Sequence, residues 1–229
     1  MCGRYTNRLS WTDIVRLYRV ASYPGPALNL RPRFNVAPTQ DVVAVRTREG
    51  TGDRELAMLR WGLIPAWTKP DAPQRSPLIN ARSETVAEKP SFRQAFRRRR
   101  CLIVADGFFE WGKGKSGKQP YWITLADRAP FAFAGLWERW EKSPDGKTVD
   151  SCAIVTTEAN ELVARIHDRM PVILAPEDYE SWLDIDGTPA DRAQSLLRPY
   201  PAAAMTAVPV SARVNSVKND DEGCVEPVG

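Results

Sequence analysis

A cysteine at position two can do chemistry that no internal cysteine can, because removal of Met1 leaves Cys2 carrying a thiol and a free α-amine on one carbon skeleton. An α-amine titrates near about 7.7–8.0, so an appreciable neutral fraction can attack a carbonyl near neutral pH. Taken alone, Cys2 reads more readily as an accident of sequence or a small buried hydrophobe. It is accompanied by polar residues set inside apolar or turn-rich segments: Asn35-Val36-Ala37-Pro38, Leu78-Ile79-Asn80-Ala81-Arg82, Ala105-Asp106-Gly107-Phe108-Phe109-Glu110-Trp111 and Ile166-His167-Asp168-Arg169-Met170-Pro171. Glu110, between Phe108, Phe109 and Trp111, fits a desolvated carboxyl held protonated as a donor. An outward-facing Glu on the polar side of a strand is the other reading. His167, the only histidine, fits a satisfied structural imidazole or a proton shuttle at a helix end. Trp61 closes an apolar run and is expected in the core. Trp67, before Thr68-Lys69-Pro70, reads as a loop residue on which an unpaired base could stack. The run Arg97-Arg98-Arg99-Arg100 reads as a solvated helix terminus and is assigned no site.

These residues need elements to hold them. Ser10-Trp11-Thr12-Asp13 is a capping-box pattern and predicts a short helix through Ile14, Leu17 and Tyr18. Strands are predicted at 42–45, 56–61, 101–104, 121–124, 131–134 and 153–156, from short runs rich in β-branched and aromatic side chains. Residues 113–120 read as a hairpin loop. Helical patterns follow at 91–99, at 158–166 and, after Pro176, through Tyr179, Trp182 and Leu183. Without regular βαβ alternation, the pattern argues for an α+β fold: one domain over residues 1–229, of twisted, curled antiparallel sheets forming an open barrel-like arrangement with several short flanking helices.

Composition narrows the function classes. The 229 residues are 43% hydrophobic and 26% charged, which excludes a disordered or collagen-like chain. No apolar run approaches the roughly 20 residues of a membrane helix, and the first residues lack the apolar core of a signal peptide, so a cytoplasmic protein with no membrane partner is expected. Four scattered cysteines and one histidine argue against a structural zinc site and for free thiols; no metal or cofactor is expected. Residues 1–115 carry 21 Lys+Arg against 10 Asp+Glu, residues 116–229 carry 11 against 18, and Arg supplies 24 of the 32 positive charges. An anionic polymer is one candidate partner for such a basic half; a merely solvated, Arg-rich surface is the alternative.

The segments Met1-Cys2-Gly3-Arg4-Tyr5, Asn35-Val36-Ala37-Pro38, Trp61-Gly62-Leu63-Ile64-Pro65, Asn80-Ala81-Arg82-Ser83-Glu84-Thr85, Ala105 to Trp111 and His167-Asp168-Arg169-Met170-Pro171 together resemble the SRAP family, the SOS response-associated peptidase or abasic site processing proteins. The resemblance continues through Pro209-Val210-Ser211 to Val217-Lys218-Asn219. It implies a protein that binds single-stranded DNA, at replication forks or single-strand/double-strand junctions, and crosslinks itself to abasic sites, associating with the nucleoid when bound. It implies Cys2 as nucleophile after loss of Met1, active-site roles for Asn80, Glu110 and His167, and DNA contacts at Arg4, Asn35, Pro38, Trp67, Arg82, Thr156 and Arg169. Trp67 matches the first of two adjacent tryptophans found in some members, and Thr68 stands in the second place. The implied fold is α+β with curled antiparallel sheets.

The implied chemistry has a physical logic. A ring-opened abasic sugar offers an aldehyde; the Cys2 amine forms an imine with it and the Cys2 thiol closes a five-membered thiazolidine. The imine also opens a route to β-elimination, hence weak lyase activity. Two other classes remain: a thiol peptidase or autopeptidase with Cys2 as nucleophile and His167 as base, and a non-covalent single-strand-binding module.

Overall fold

The computed structural model describes residues 2–21, 29–48, 50–70, 77–114, 117–141 and 145–228. Among them are thirteen strands and four α-helices. The strands in chain order are β1 (Tyr5–Asn7), β2 (Arg33–Val36), β3 (Asp41–Thr47), β4 (Arg54–Trp61), β5 (Asn80–Arg82), β6 (Arg100–Ala105), β7 (Gly107–Gly114), β8 (Gly117–Leu125), β9 (Phe131–Trp140), β10 (Val149–Glu158), β11 (Arg169–Pro171), β12 (Ile173–Leu174) and β13 (Met205–Pro209). The helices are α1 (Trp11–Tyr18), α2 (Arg93–Arg98), α3 (Tyr179–Leu183) and α4 (Ala190–Ser195). None is long and apolar enough to cross a membrane.

One sheet runs β13-β8-β7-β1-β2. The other runs β11-β10-β4-β3-β6-β9-β12, with β5 added on β10. A further β9–β10 pairing closes β10, β4, β3, β6 and β9 into a ring. The α+β class is as expected, with two differences. The barrel-like sheet is closed rather than open, and β10 pairs in parallel with both β4 and β5, whereas the other ladders are antiparallel. Closure explains the near-continuous apolar runs of the sequence, because both faces of the ring meet a core. Along β9, Phe131 and Phe133 enter the core shared with Tyr5 and Phe108 of the other sheet. Ala132, Ala134 and Leu136 enter the core shared with Ile14 of α1, Phe96 of α2 and Trp182 of α3. Tyr5, Phe108 and Phe133 meet edge to face at centroid separations of 5.3–6.2 Å, counting Trp61, which Tyr5 also touches. That cluster ties the first strand of the chain to both sheets.

The predicted helix start is observed. Asp13 N–H donates to Ser10 Oγ at 3.2 Å and Ser10 N–H donates to the Asp13 carboxylate at 3.3 Å. All six predicted strands are present with longer bounds. Other expectations fail for reasons of tertiary pairing. The hairpin expected at 113–120 does join β7 and β8, but most of the segment is ladder, with Lys113 opposite Lys118 and Gly114 opposite Gly117; residues 115 and 116 lie outside the described residues. The helical pattern at 158–166 yields only a 3-10 turn, Val163–Arg165, because β10 extends to Glu158. The arginine run is divided: Arg97 and Arg98 are exposed in the last turn of α2, whereas Arg100 begins β6 and is buried. Arg100 Nη2 donates to the Asp184 and Thr188 carbonyls at 2.8 and 2.9 Å, and its guanidinium lies 5.6 Å from the Trp182 ring.

Candidate active site

The amino-terminal segment lies against β7. Tyr5 pairs with Phe108, Thr6 pairs with Gly107, and Phe109 N–H donates to the Arg4 carbonyl at 3.0 Å. Cys2 is buried and belongs to the core between the sheets. Its thiol lies 3.8 Å from the Arg4 carbonyl. Asn80, the first residue of β5, donates from Nδ2 to the Cys2 carbonyl at 2.9 Å. The parallel pairing of Asn80 with Ile154 fixes where that donor stands. Asn80 Oδ1 is buried and has no hydrogen-bond partner among the described residues. Burial and then the charge of Glu110 push the Cys2 thiol well above its ordinary value.

Glu110 is 3% exposed, so the outward-facing reading does not hold. Its desolvation has a different origin from the flanking aromatics, however. Side chains alternate along a strand, so Phe109 and Trp111 point to the opposite face. There they pack with Val210, Val214 and Cys224, and Trp111 Nε1 donates to Asn215 Oδ1 at 2.8 Å. Glu110 shares the face of Phe108, toward Cys2 and the 163–167 turn. Desolvation raises its pKa, against nearby positive charge that includes His167.

His167 stands on the loop between β10 and β11, which closes where Glu158 pairs with Arg169. Inside this loop Asn160 Oδ1 accepts from Val163 N–H at 2.9 Å, and the His167 N–H donates to the Val163 carbonyl at 2.9 Å. The His167 Nδ1 accepts from Arg169 N–H at 3.0 Å and lies 2.9 Å from Asp168 Oδ1. The first contact makes Nδ1 an acceptor, which puts the ring proton on Nε2. The turn reaches β7 at Gly112, where a Cβ would sit 3.3 Å from Ile166 Cγ2, 3.6 Å from Ile166 Cα and 3.1 Å from Tyr121 Cε2. A glycine inside a strand is a sequence signal for such a close approach.

The residues proposed to touch DNA fall into two groups. Trp67 is 60% exposed on the turn closed by Thr68 N–H to the Pro65 carbonyl at 2.9 Å. Arg82 is exposed on β5 and Pro38 is half-buried in the turn before β3. Arg169 is partly exposed beside Glu84. Arg4, Asn35 and Thr156 face the protein instead. Arg4 Nη1 donates to Asn35 Oδ1 at 2.9 Å and to the Val214 carbonyl at 2.8 Å. Asn35 is buried, and its amide donates to the carbonyls of Val214, Ser216 and Asn219 at 2.7–3.1 Å. Thr156 is buried, with its hydroxyl turned to the Ala81 carbonyl at 3.5 Å. All three bond internally, Arg4 and Asn35 to the carboxy-terminal 214–219 segment and Thr156 to β5. The four cysteines are free thiols, and no group of three or more metal-ligating side chains occurs among the described residues.

Residues 1–217 match the family model described as SOS response associated peptidase (SRAP). Abasic site processing protein YoqW of Bacillus subtilis (strain 168) is 44% identical over 227 residues, covering 99% of each chain. Abasic site processing protein YedK of Escherichia coli (strain K12) is 33% identical over 233 residues, covering both chains completely. A crystal structure of a protein from Bacteroides thetaiotaomicron superposes with a TM-score of 0.88 at 26% identity, covering 99% of this chain and 100% of that one. With a family model spanning nearly the whole sequence and relatives aligned end to end, the chain belongs to the SOS response associated peptidase (SRAP) family.

Proposed function

We propose that this protein binds single-stranded DNA at abasic sites and traps the lesion covalently through Cys2 once Met1 is removed. The observation that carries the reading is the convergence of three distant segments: buried Cys2, Asn80 bonded to its carbonyl, and buried Glu110, whose charge acts on the Cys2 thiol. His167 stands on the turn packed against the same strand. The names of the relatives, abasic site processing proteins, supply the substrate class.

The reaction proceeds in balanced steps. His167, donating from Nε2–H, assists opening of the sugar ring to the aldehyde. The Cys2 amine adds to the aldehyde carbon, and Glu110 in its protonated form gives the proton with which the hydroxyl leaves as water. The thiol then adds to the resulting protonated imine: the S–C bond forms, the thiol proton passes to the Glu110 carboxylate and restores its acid form, and the ring nitrogen becomes a neutral amine. One water is released overall. A single side chain serving as acid and then base needs a pKa moved toward neutrality, which burial of Glu110 provides. Asn80 Oδ1 is the acceptor available to orient the amine or a sugar hydroxyl. Arg82 and Arg169 meet flanking phosphates and Trp67 stacks on a base, while Arg4 and Asn35 hold the amino-terminal strand in place. The imine intermediate also permits slow strand cleavage by β-elimination.

A peptidase reading draws on the family's description. A thiol raised by burial and a neighbouring carboxylate is a poor acyl nucleophile, which favours the crosslink. The test is denaturing electrophoresis after incubation with a single strand bearing one abasic site. Mature protein should give a shifted band, and protein retaining Met1 or Cys2→Ala should give none. Peptide cleavage without a shifted band supports the peptidase, and native binding without one supports a non-covalent module.

A further inference from the structure

Arg169 meets a phosphate in the reading above, yet its guanidinium is already engaged. Nη1 and Nη2 lie 2.5 and 3.0 Å from the two carboxylate oxygens of Glu84, and Nη2 also donates to the Thr156 carbonyl at 2.8 Å. Nε is buried without a hydrogen-bond partner among the described residues. The Arg169 side chain is 14% exposed and that of Glu84 51%, so the carboxylate lies on the solvent side of the fork. Contact with Arg169 holds the Glu84 carboxyl below its ordinary value, and the charge of Arg82 adds to this, so Glu84 stays ionised at neutral pH. Carboxylate and phosphodiester oxygens present the same paired acceptors to an arginine fork. One fork cannot serve both in this way.

We propose that Glu84 occupies the phosphate seat of Arg169 in the DNA-free protein and acts as a selectivity determinant, weakening the grip on every strand so that only a lesion able to bond with Cys2 is retained. The proposal rests on the single-strand reading above. Damaged and undamaged strands must both displace Glu84 from the fork or bind beside its negative charge, and both lose affinity by it. Only the abasic strand recovers the loss through a covalent bond. An undamaged strand leaves quickly, which keeps the protein free to search a long excess of intact DNA.

The experiment compares wild type with Glu84→Gln, which keeps the side-chain size and one acceptor but removes the charge. Binding of an undamaged oligothymidine is read by fluorescence anisotropy, alongside crosslinking of an abasic strand in the presence of undamaged competitor. Glu84→Gln should bind the undamaged strand about fivefold more tightly, the scale of one solvent-accessible ion pair, and its crosslinking should be inhibited at correspondingly lower competitor. In an Arg169→Ala background the same change should have a smaller effect, because the contested fork is gone. Equal or weaker binding by Glu84→Gln overturns the proposal and makes Glu84 a group that merely positions Arg169. Absence of strand binding by wild type and variant alike overturns the single-strand reading, and this proposal with it.

Discussion

Glu110 works against the fold it belongs to. Its pKa is raised in the native state by burial, so the native protein holds that proton more tightly than the unfolded chain does. Stability therefore falls as pH rises from the ordinary carboxyl range through the raised native value, and is retained below it. Glu110→Gln should accordingly melt at a higher temperature than wild type at pH 8, with the difference closing toward pH 4, as calorimetry across pH will show. The same variant should crosslink an abasic strand roughly 10²-fold more slowly, because it can no longer exchange a proton with the departing hydroxyl or the thiol. A variant that is more stable and less active places Glu110 among functional groups held at a cost to the fold; one that melts lower at pH 8 contradicts the desolvation argument. Asn80→Ala removes the donor to the Cys2 carbonyl, and single-turnover crosslinking should slow while undamaged-strand affinity, read by anisotropy, stays within about twofold.

Two elements hold the reacting groups, and each can be loosened separately. The 159–168 loop carries His167 and touches β7 through Ile166 at Gly112. Gly112→Ala forces Ile166 or Tyr121 to yield by a few tenths of an ångström, and overpacking of this kind costs about 1–3 kcal/mol. Because positioning errors near one ångström can cost about 10²-fold in rate, crosslinking should slow by about tenfold, measured beside the melting temperature. Helix α1 is the control. Ser10→Ala removes a side-chain acceptor from the capping box and should cost about 1 kcal/mol, yet leave the crosslinking rate of the folded protein unchanged. Equal losses of rate in both variants would show that general destabilisation, rather than the loop, controls the reaction.

At the scale of the molecule, the basic first half and acidic second half meet in several ion pairs. Arg33 pairs with Asp220, Arg46 with Asp150, Arg54 with Glu180 and Arg99 with Glu138. Part of the charge asymmetry is thus internal ion pairing between the halves. If Arg82 and Arg169 are the phosphate contacts, the logarithm of single-strand affinity should fall with the logarithm of salt at a slope of about −1.4, from about −0.7 for each phosphate neutralised. A slope several times steeper would mean that further arginines bind DNA. Residues 10–18, the six predicted strands and the chemical promise of Cys2 were legible in the sequence because a cap, an alternating run and a terminal amine are local properties. The short strands β1, β2 and β5 were not, since three or four residues carry no period; β1 and β5 exist because the longer β7 and β10 pair with them, and β2 because β1 does. Nor could the sequence tell that Glu110 faces Cys2 while its aromatic neighbours face the other way, or that Arg4, Asn35 and Thr156 turn inward. The sequence by itself determined which groups are present and which reaction they suit. Tertiary structure alone decided which of them meet, because the contacts of Cys2 with Asn80, of Arg4 with Val214 and of Arg169 with Glu84 join residues 78, 210 and 85 positions apart, and such contacts are set by how sheets pair and close rather than by any neighbour along the chain.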